Sequence, residues 1–287
     1  NVKRFQKLLG EVMPEKEMNW TTMAEYLGRL EARGVSQNVV TLVGHGTLRY
    51  YVMGNERRIC TEAELEEMKR LVGVAMEDGA LGLSTGLTYA PGYYAHTSEV
   101  IELAKVAAEY GGIYTSHIRE WGSEVLGWSG EQGSNLQGAA EAIEVGRRSG
   151  VRATVISHYQ AHRLNVLDPE QYNKGRRLIE SAREEGLDVV ADTLPDERDS
   201  VRPLHYSVIP PPYLVDGVES MVKTLRNPEA RAKLKRDLET KTPADLGFNY
   251  HVMNLLYLRQ GKADNILIYP PFNGHLRHRE YEGKTLD

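Results

Sequence analysis

One cysteine, Cys60, leaves no partner for an internal disulfide, and a reducing cytoplasm is the compartment such a chain suits. Long apolar runs are also missing. The longest, such as "VVTLV" at 39–43, falls far short of the roughly 20 residues that cross a bilayer, so no membrane partner is expected, and no signal peptide is visible. Nor is there an excess of positive charge. With Lys+Arg at 35 and Asp+Glu at 40, the net charge of -5 provides no basic surface for nucleic acid or anionic lipid. The short zinc signatures HxH and HExxH do not occur. The glycines Gly82 and Gly86 of "GLSTGL" are too widely set for a phosphate loop and lack its lysine. No solenoid repeat is present, and nothing signals an oligomeric state.

What is there is an ordinary globular composition over 287 residues, 41% hydrophobic and 26% charged. Short β-branched runs alternate with longer segments of helical period. Strands are expected at 39–43, 80–84, 112–116, 151–157 and 187–192, with helices at 61–78, 97–110, 136–149 and 170–185. Thr61 and Glu64 make a capping box ahead of Leu65, Met68, Leu71, Val72 and Ala75. The strand spacing is that of βα units in a parallel sheet, and the strands are apolar on both faces, as helix-covered strands are. After 192 the rhythm breaks at Pro195, Pro203 and Pro210-Pro211-Pro212. A helix at 227–239 opens on Asn227 and Pro228, and a strand is expected at 265–269. The chain thus divides into 1–192, a run of βα units, and 193–287, an insertion or helical subdomain. Five barrel-type strands are too few to close a (β/α)8 barrel, which needs eight.

In α/β sheets chemistry gathers at the carboxyl ends of the strands. His45 follows the first strand, His117 the third ("YTSHIRE"), His158 the fourth ("VISHYQA"), and Asp192 ends the fifth. A single histidine at a strand end is commonly a hydrogen-bonded loop residue. Two on neighbouring strands can converge above the sheet, and zinc suits such a pair, since neutral imidazole binds it at about 2.0–2.1 Å. Two histidines do not complete a site, which needs at least one further protein ligand. Cys60, in a loop leading to a helix, reads as structural. His275 and His278 read as solvated. Tyr89, Tyr93 and Tyr94 in "TYAPGYYAH" line either a pocket or a proline-anchored cluster.

The stretches "TLVGHGTLRYYVMG" (41–54), "MEDGALGLSTGLTYAPGYYAHTSEVIELAKVAAEYGGIYTSHIRE" (76–120), "VISHYQA" (155–161) and "GLDVVADTLP" (186–195) resemble the D-aminoacylase family, the N-acyl-D-amino-acid deacylases of the amidohydrolase superfamily. "NPEARAKL" (227–234) and residues 265–287 are similar to that family's insertion after the seventh strand. The resemblance implies an α/β fold, a metal-dependent (β/α)8 TIM-type barrel, of which this chain carries about strands three to seven plus the insertion. His117 then matches the metal-binding histidine of the fifth strand and His158 that of the sixth. The family's HxH and its metal-binding cysteine are expected before Asn1, and its general-base aspartate after Asp287, so the chain reads as an internal portion of the enzyme. The implied reaction is zinc-dependent hydrolysis of the non-peptide carbon–nitrogen bond of an N-acyl-D-amino acid. The implied partner is that small-molecule substrate.

Two departures bear on substrate. Gln160 stands where the family has a lysine that meets the substrate carboxylate, and "DTLPD" replaces DVYPY, so that Leu194 and Asp196 stand in place of aromatics. Arg119, Gln160 and Tyr94 are the substrate-binding candidates, with Arg119 or Arg163 receiving the charge the lysine would have met. A cyclic amide or uncharged acyl-amine is the alternative substrate. A chain lacking strands one, two and eight also leaves open an inactive fragment or a non-catalytic interaction module. The departures predict that the full-length enzyme shows no preference for an N-acetyl-D-amino acid over its amide. Comparing kcat/KM for the two tests this, and a clear preference for the free acid contradicts it.

Overall fold

The alternation of β-branched runs with amphipathic segments becomes a parallel sheet covered by helices. The computed structural model describes residues 20–54, 56, 58–87, 89, 91–119, 134–159, 169–193, 222–223 and 225–240. In chain order these hold α1 (Met23–Arg33), β1 (Val43–Gly44), α2 (His45–Met53), α3 (Glu62–Glu77), β2 (Gly82–Gly86), a 3-10 turn (Gly92–Tyr94), α4 (Thr97–Glu109), β3 (Ile113–His117), α5 (Ser134–Ser149), β4 (Thr154–Ile156), α6 (Pro169–Glu184), β5 (Val189–Ala191) and α7 (Pro228–Thr240). The expected strand at 265–269, together with Gln160, Arg163, Leu194, Asp196, His275 and His278, lies outside the described residues. None of the described helices is long and apolar enough to cross a membrane.

Contacts divide the chain into two units, Asn1–Pro195 and Asp196–Asp287. In the first, five strands pair in parallel in the order β1-β2-β3-β4-β5. Each strand lies beside its predecessor, as consecutive staves of a barrel do; a doubly wound sheet reverses order at a switch point instead. One row of the register runs Val43↔Leu83, Leu83↔Tyr114, Tyr114↔Thr154 and Thr154↔Val189. Side chains alternate between faces along a strand, so this row marks the face turned to the helices. Val43, Leu83, Tyr114, Ile156 and Val189 share one buried cluster with Met68, Val72, Leu103 and Ile143 of the helices. On the opposite face Thr115, His117 and Val155 are half-buried and Val190 is exposed.

The helix starts follow from their first residues. Thr61 caps α3, its hydroxyl accepting from the Glu64 N–H while the Glu64 carboxylate accepts from the Thr61 N–H. Thr22 and Glu25 make the same box at α1. That helix was not expected, although Thr22-Met-Ala-Glu25 carries the capping signature. Nor was α2, whose buried stripe is His45, Leu48, Arg49 and Met53; two polar residues among four hide the period. In the second unit the Asn227 side chain accepts from the Glu229 and Ala230 N–H groups at 2.9 and 3.2 Å, capping α7 as read from the sequence.

Gly82 is fixed by close approach of strands. A Cβ there would overlap the Ile113 carbonyl and lie 2.7 Å from the Ile113 nitrogen. Gly82→Ala must therefore part β2 from β3. Chemical denaturation should show a loss of about 3 kcal/mol, whereas Gly28→Ala, in open space on α1, should change stability by less than about 1 kcal/mol in the favourable direction.

Candidate metal centre

His117 is the last residue of β3, and His158 stands two residues beyond β4. Because β3 and β4 pair as Tyr114↔Thr154 and Ser116↔Ile156, both side chains reach the carboxyl edge of neighbouring strands. They meet there. His117 Nδ1 and His158 Nε2 are hydrogen-bonded to each other, with ring centroids 4.3 Å apart and planes at 62°. The Tyr89 ring lies 4.9 Å from the His117 ring at 30°, and the Leu87 N–H donates to the His117 carbonyl at 3.0 Å. The loop after β2 thus covers one side of His117. Among the tyrosines of this loop, Tyr89 stacks near the histidine pair. Tyr94 is half-buried in the 3-10 turn and packs edge-on against Tyr93 at 5.5 Å.

His158 has φ 41, the sole positive value among the described non-glycine residues. Such a conformation costs about 1–3 kcal/mol and persists where its surroundings impose it. The His158 N–H donates to Asp192 Oδ1, and the Ser157 hydroxyl donates to both Asp192 oxygens at 3.3 Å.

The donors fit a metal as two corners of a site. Both are imidazoles at the carboxyl edge of neighbouring strands, and neutral imidazole is a common ligand of a divalent ion. Among the described residues no group of three His, Cys, Asp or Glu converges, so no complete ligand set lies within them. Burial first, then the nearby Glu99 carboxylate, push the Cys60 thiol up to about 12.

Arg119, a candidate for receiving substrate charge, is held by acceptors of the protein itself. It is buried, donating from Nε and Nη2 to Glu141 at 3.1 and 3.2 Å, from Nη1 to the Tyr93 carbonyl at 2.7 Å and from Nη2 to the Ala95 carbonyl at 3.1 Å. Thr97 adds a 2.8 Å bond to Glu141. The physical reason is local: a guanidinium buried beneath the loop after β2 requires an anion and acceptors, and α5 and the 3-10 turn supply them.

A second buried ion cluster lies beneath β1. His45 Nε2 is 2.7 Å from Glu99 Oε1, Arg49 Nη1 donates to Glu99 Oε2, and Arg49 Nη2 donates to the Arg58 carbonyl at 2.7 Å. His45, Arg49 and Glu99 are 0%, 0% and 3% exposed, which makes His45 a structural histidine. Burial alone would raise the Glu99 carboxyl. The hydrogen bond and charge of His45, with those of Arg49, overcome this and hold it at about 2. Glu99 and Glu141 did not emerge from the sequence. Their signal was an acidic residue on the buried face of an otherwise apolar helix.

No family model matches the chain. An N-acyl-D-glutamate deacylase from Alcaligenes xylosoxydans xylosoxydans is 38% identical over 177 residues, 60% of this chain and 33% of that protein. The chain thus spans about a third of the length of this curated relative. A crystal structure of D-aminoacylase, described as defining a novel subset of amidohydrolases, is 33% identical with a TM-score of 0.52, covering 61% of this chain and 34% of that one. A second D-aminoacylase structure, concerned with the functional role of its binuclear metal centre, is 32% identical with a TM-score of 0.51 over the same shares. The chain is therefore similar to the D-aminoacylases in sequence and in structure, and its parallel βα units have the architecture of that barrel.

Glu99 sits below the unfolded glutamate value of about 4.3, so its stabilisation is complete above about pH 5 and is lost as pH falls toward about 2. Glu99→Gln should cost about 3 kcal/mol at neutral pH by leaving Arg49 buried without its anion. The variant should also lose part of the acid limb of wild type. Denaturant titrations from pH 7 to pH 2 read both effects, and an unchanged acid limb contradicts the assignment.

Proposed function

On a chain similar to D-aminoacylases over about three-fifths of its length, we propose that His117 and His158 are metal ligands of an N-acyl-D-amino-acid deacylase. The reaction is hydrolysis of a non-peptide amide, releasing a D-amino acid and a carboxylate. The observation that carries this reading is the meeting of His117 Nδ1 and His158 Nε2 at adjacent strand ends. The names of the relatives support it, since one acts on N-acyl-D-glutamate and the solved D-aminoacylase has a binuclear metal centre.

Zinc is the ion we assign to these imidazoles. When bound, a divalent ion supplies Lewis acidity toward an acyl carbonyl and lowers the pKa of water from about 15.7 to about 7. The chain's own residues hold and shape the site. β3 and the Leu87 N–H fix His117, the Tyr89 ring shields one side of it, and the left-handed turn at His158 aims the second imidazole back toward the first. Tyr94 and Gln160 remain the candidates for contact with substrate.

One observation favours a second reading of the substrate. Arg119, two residues from His117, is engaged by Glu141 and two carbonyls, and Gln160 is neutral, so neither offers a free cation to a carboxylate. A substrate without that carboxylate, such as a cyclic amide, fits this better.

Equilibrium dialysis of the purified 287-residue protein against zinc tests the ligand assignment. Because no group of three ligands converges among the described residues, zinc uptake weaker than that of a closed site is expected, with at least about a tenfold loss of affinity in His117→Ala and again in His158→Ala. Zinc uptake indifferent to both substitutions overturns it.

A further inference from the structure

Asp192 follows β5, the strand next to β4, and its side chain crosses to β4's end. Oδ1 accepts from the His158 N–H, both oxygens accept from the Ser157 hydroxyl at 3.3 Å, and its own N–H donates to the Ile156 carbonyl at 3.2 Å. The Ser157 N–H meanwhile donates to the Ser116 carbonyl at 2.9 Å, so the chain is still in sheet register one residue before it turns. At His158 it turns to φ 41. Tyr159, the next residue, is buried at 7% exposure against Gly175 of α6.

Left-handed backbone is uncommon in non-glycine residues and requires an external hold. Here the hold on the turn is one carboxylate accepting from two consecutive residues. If His158 relaxed to ordinary extended backbone, its Cα–Cβ vector would rotate and its ring would leave His117. We propose that Asp192 is a positioning residue: by binding the His158 N–H and the Ser157 hydroxyl, it fixes the left-handed turn that brings the His158 ring onto His117. It acts through backbone geometry and is not itself a ligand, since its oxygens are directed to Ser157 and to the His158 N–H. The inference rests on the metal reading for its functional weight, and on the metal-free geometry for its structural claim.

Asp192→Asn keeps an acceptor oxygen for the His158 N–H, and Asp192→Ala removes it. In the metal-free 287-residue protein with labelled histidines, a nuclear Overhauser contact between the His117 and His158 rings is expected in wild type and Asp192→Asn. It is expected to vanish in Asp192→Ala. Zinc affinity, read by competition with a chromophoric chelator, should fall about 10–100-fold in Asp192→Ala and less than about tenfold in Asp192→Asn. Ser157→Ala, which removes one donor and leaves the strand intact, should show a milder loss of ring contact should Asp192→Ala not fold. Retention of ring contact and affinity in Asp192→Ala, or in Ser157→Ala should Asp192→Ala not fold, overturns the inference. So does an Asp192→Asn protein as impaired as Asp192→Ala, because the negative charge would then be what matters. A wild type that shows the expected ring contacts but binds no zinc would remove the metal reading and leave the positioning role standing.

Discussion

The parallel pairing of β3 with β4 is the constraint on which the rest depends. Tyr114↔Thr154, Thr115↔Val155 and Ser116↔Ile156 bring the carboxyl ends of two strands separated by a whole helix into lateral contact, about 4.8 Å apart in the hydrogen-bonding direction. Given that register, His117 at the end of β3 and His158 two residues beyond β4 need only the correct backbone turn to meet, and φ 41 at His158 provides it. The helices contribute indirectly. They bury one face of the sheet in a single cluster and so hold the register.

Two buried ion clusters brace the edge where the histidines stand. Glu99 draws in His45 and Arg49, and Glu141 draws in Arg119 and Thr97. Thr97 and Glu99 both belong to the first turn of α4, so one turn of helix is tied to residues following β1 and to residues following β3. The turn Gly92–Tyr94 lies between: its Tyr93 carbonyl is held by Arg119, and a Cβ at Gly92 would stand 3.4 Å from His45 Nδ1. Burying ions in this way is weak evidence for stability, because desolvation offsets much of the attraction. What the arrangement secures is geometry, since the Arg119 guanidinium, with each of its nitrogens bonded, leaves the loop few alternatives.

Sheet and helix order were readable from the sequence because local signals agreed with the fold. The run "GIYTSH" carries the β-formers Ile113, Tyr114 and Thr115, and the helix before it stops ahead of Gly111-Gly112 as its composition indicates. Strand ends shifted by up to four residues, most at the first strand, where expected 39–43 became Val43–Gly44. α2 was hidden because its buried face contains His45 and Arg49, which match no apolar period until Glu99 is known to meet them. The adjacency of His117 and His158 was legible from strand order. The engagement of Arg119 was not, since its partner Glu141 lies 22 residues away on α5 and charge pairing across such a distance leaves no pattern in one sequence.

The central claim is that His117 and His158 ligate one ion. Pulsed electron paramagnetic resonance of the copper-loaded 287-residue protein, with 15N-labelled histidine, counts the imidazoles on the metal directly. Coupling to two imidazoles, reduced to one by either His117→Ala or His158→Ala, is the predicted result. Absence of imidazole coupling, or coupling that survives both substitutions, would contradict the account.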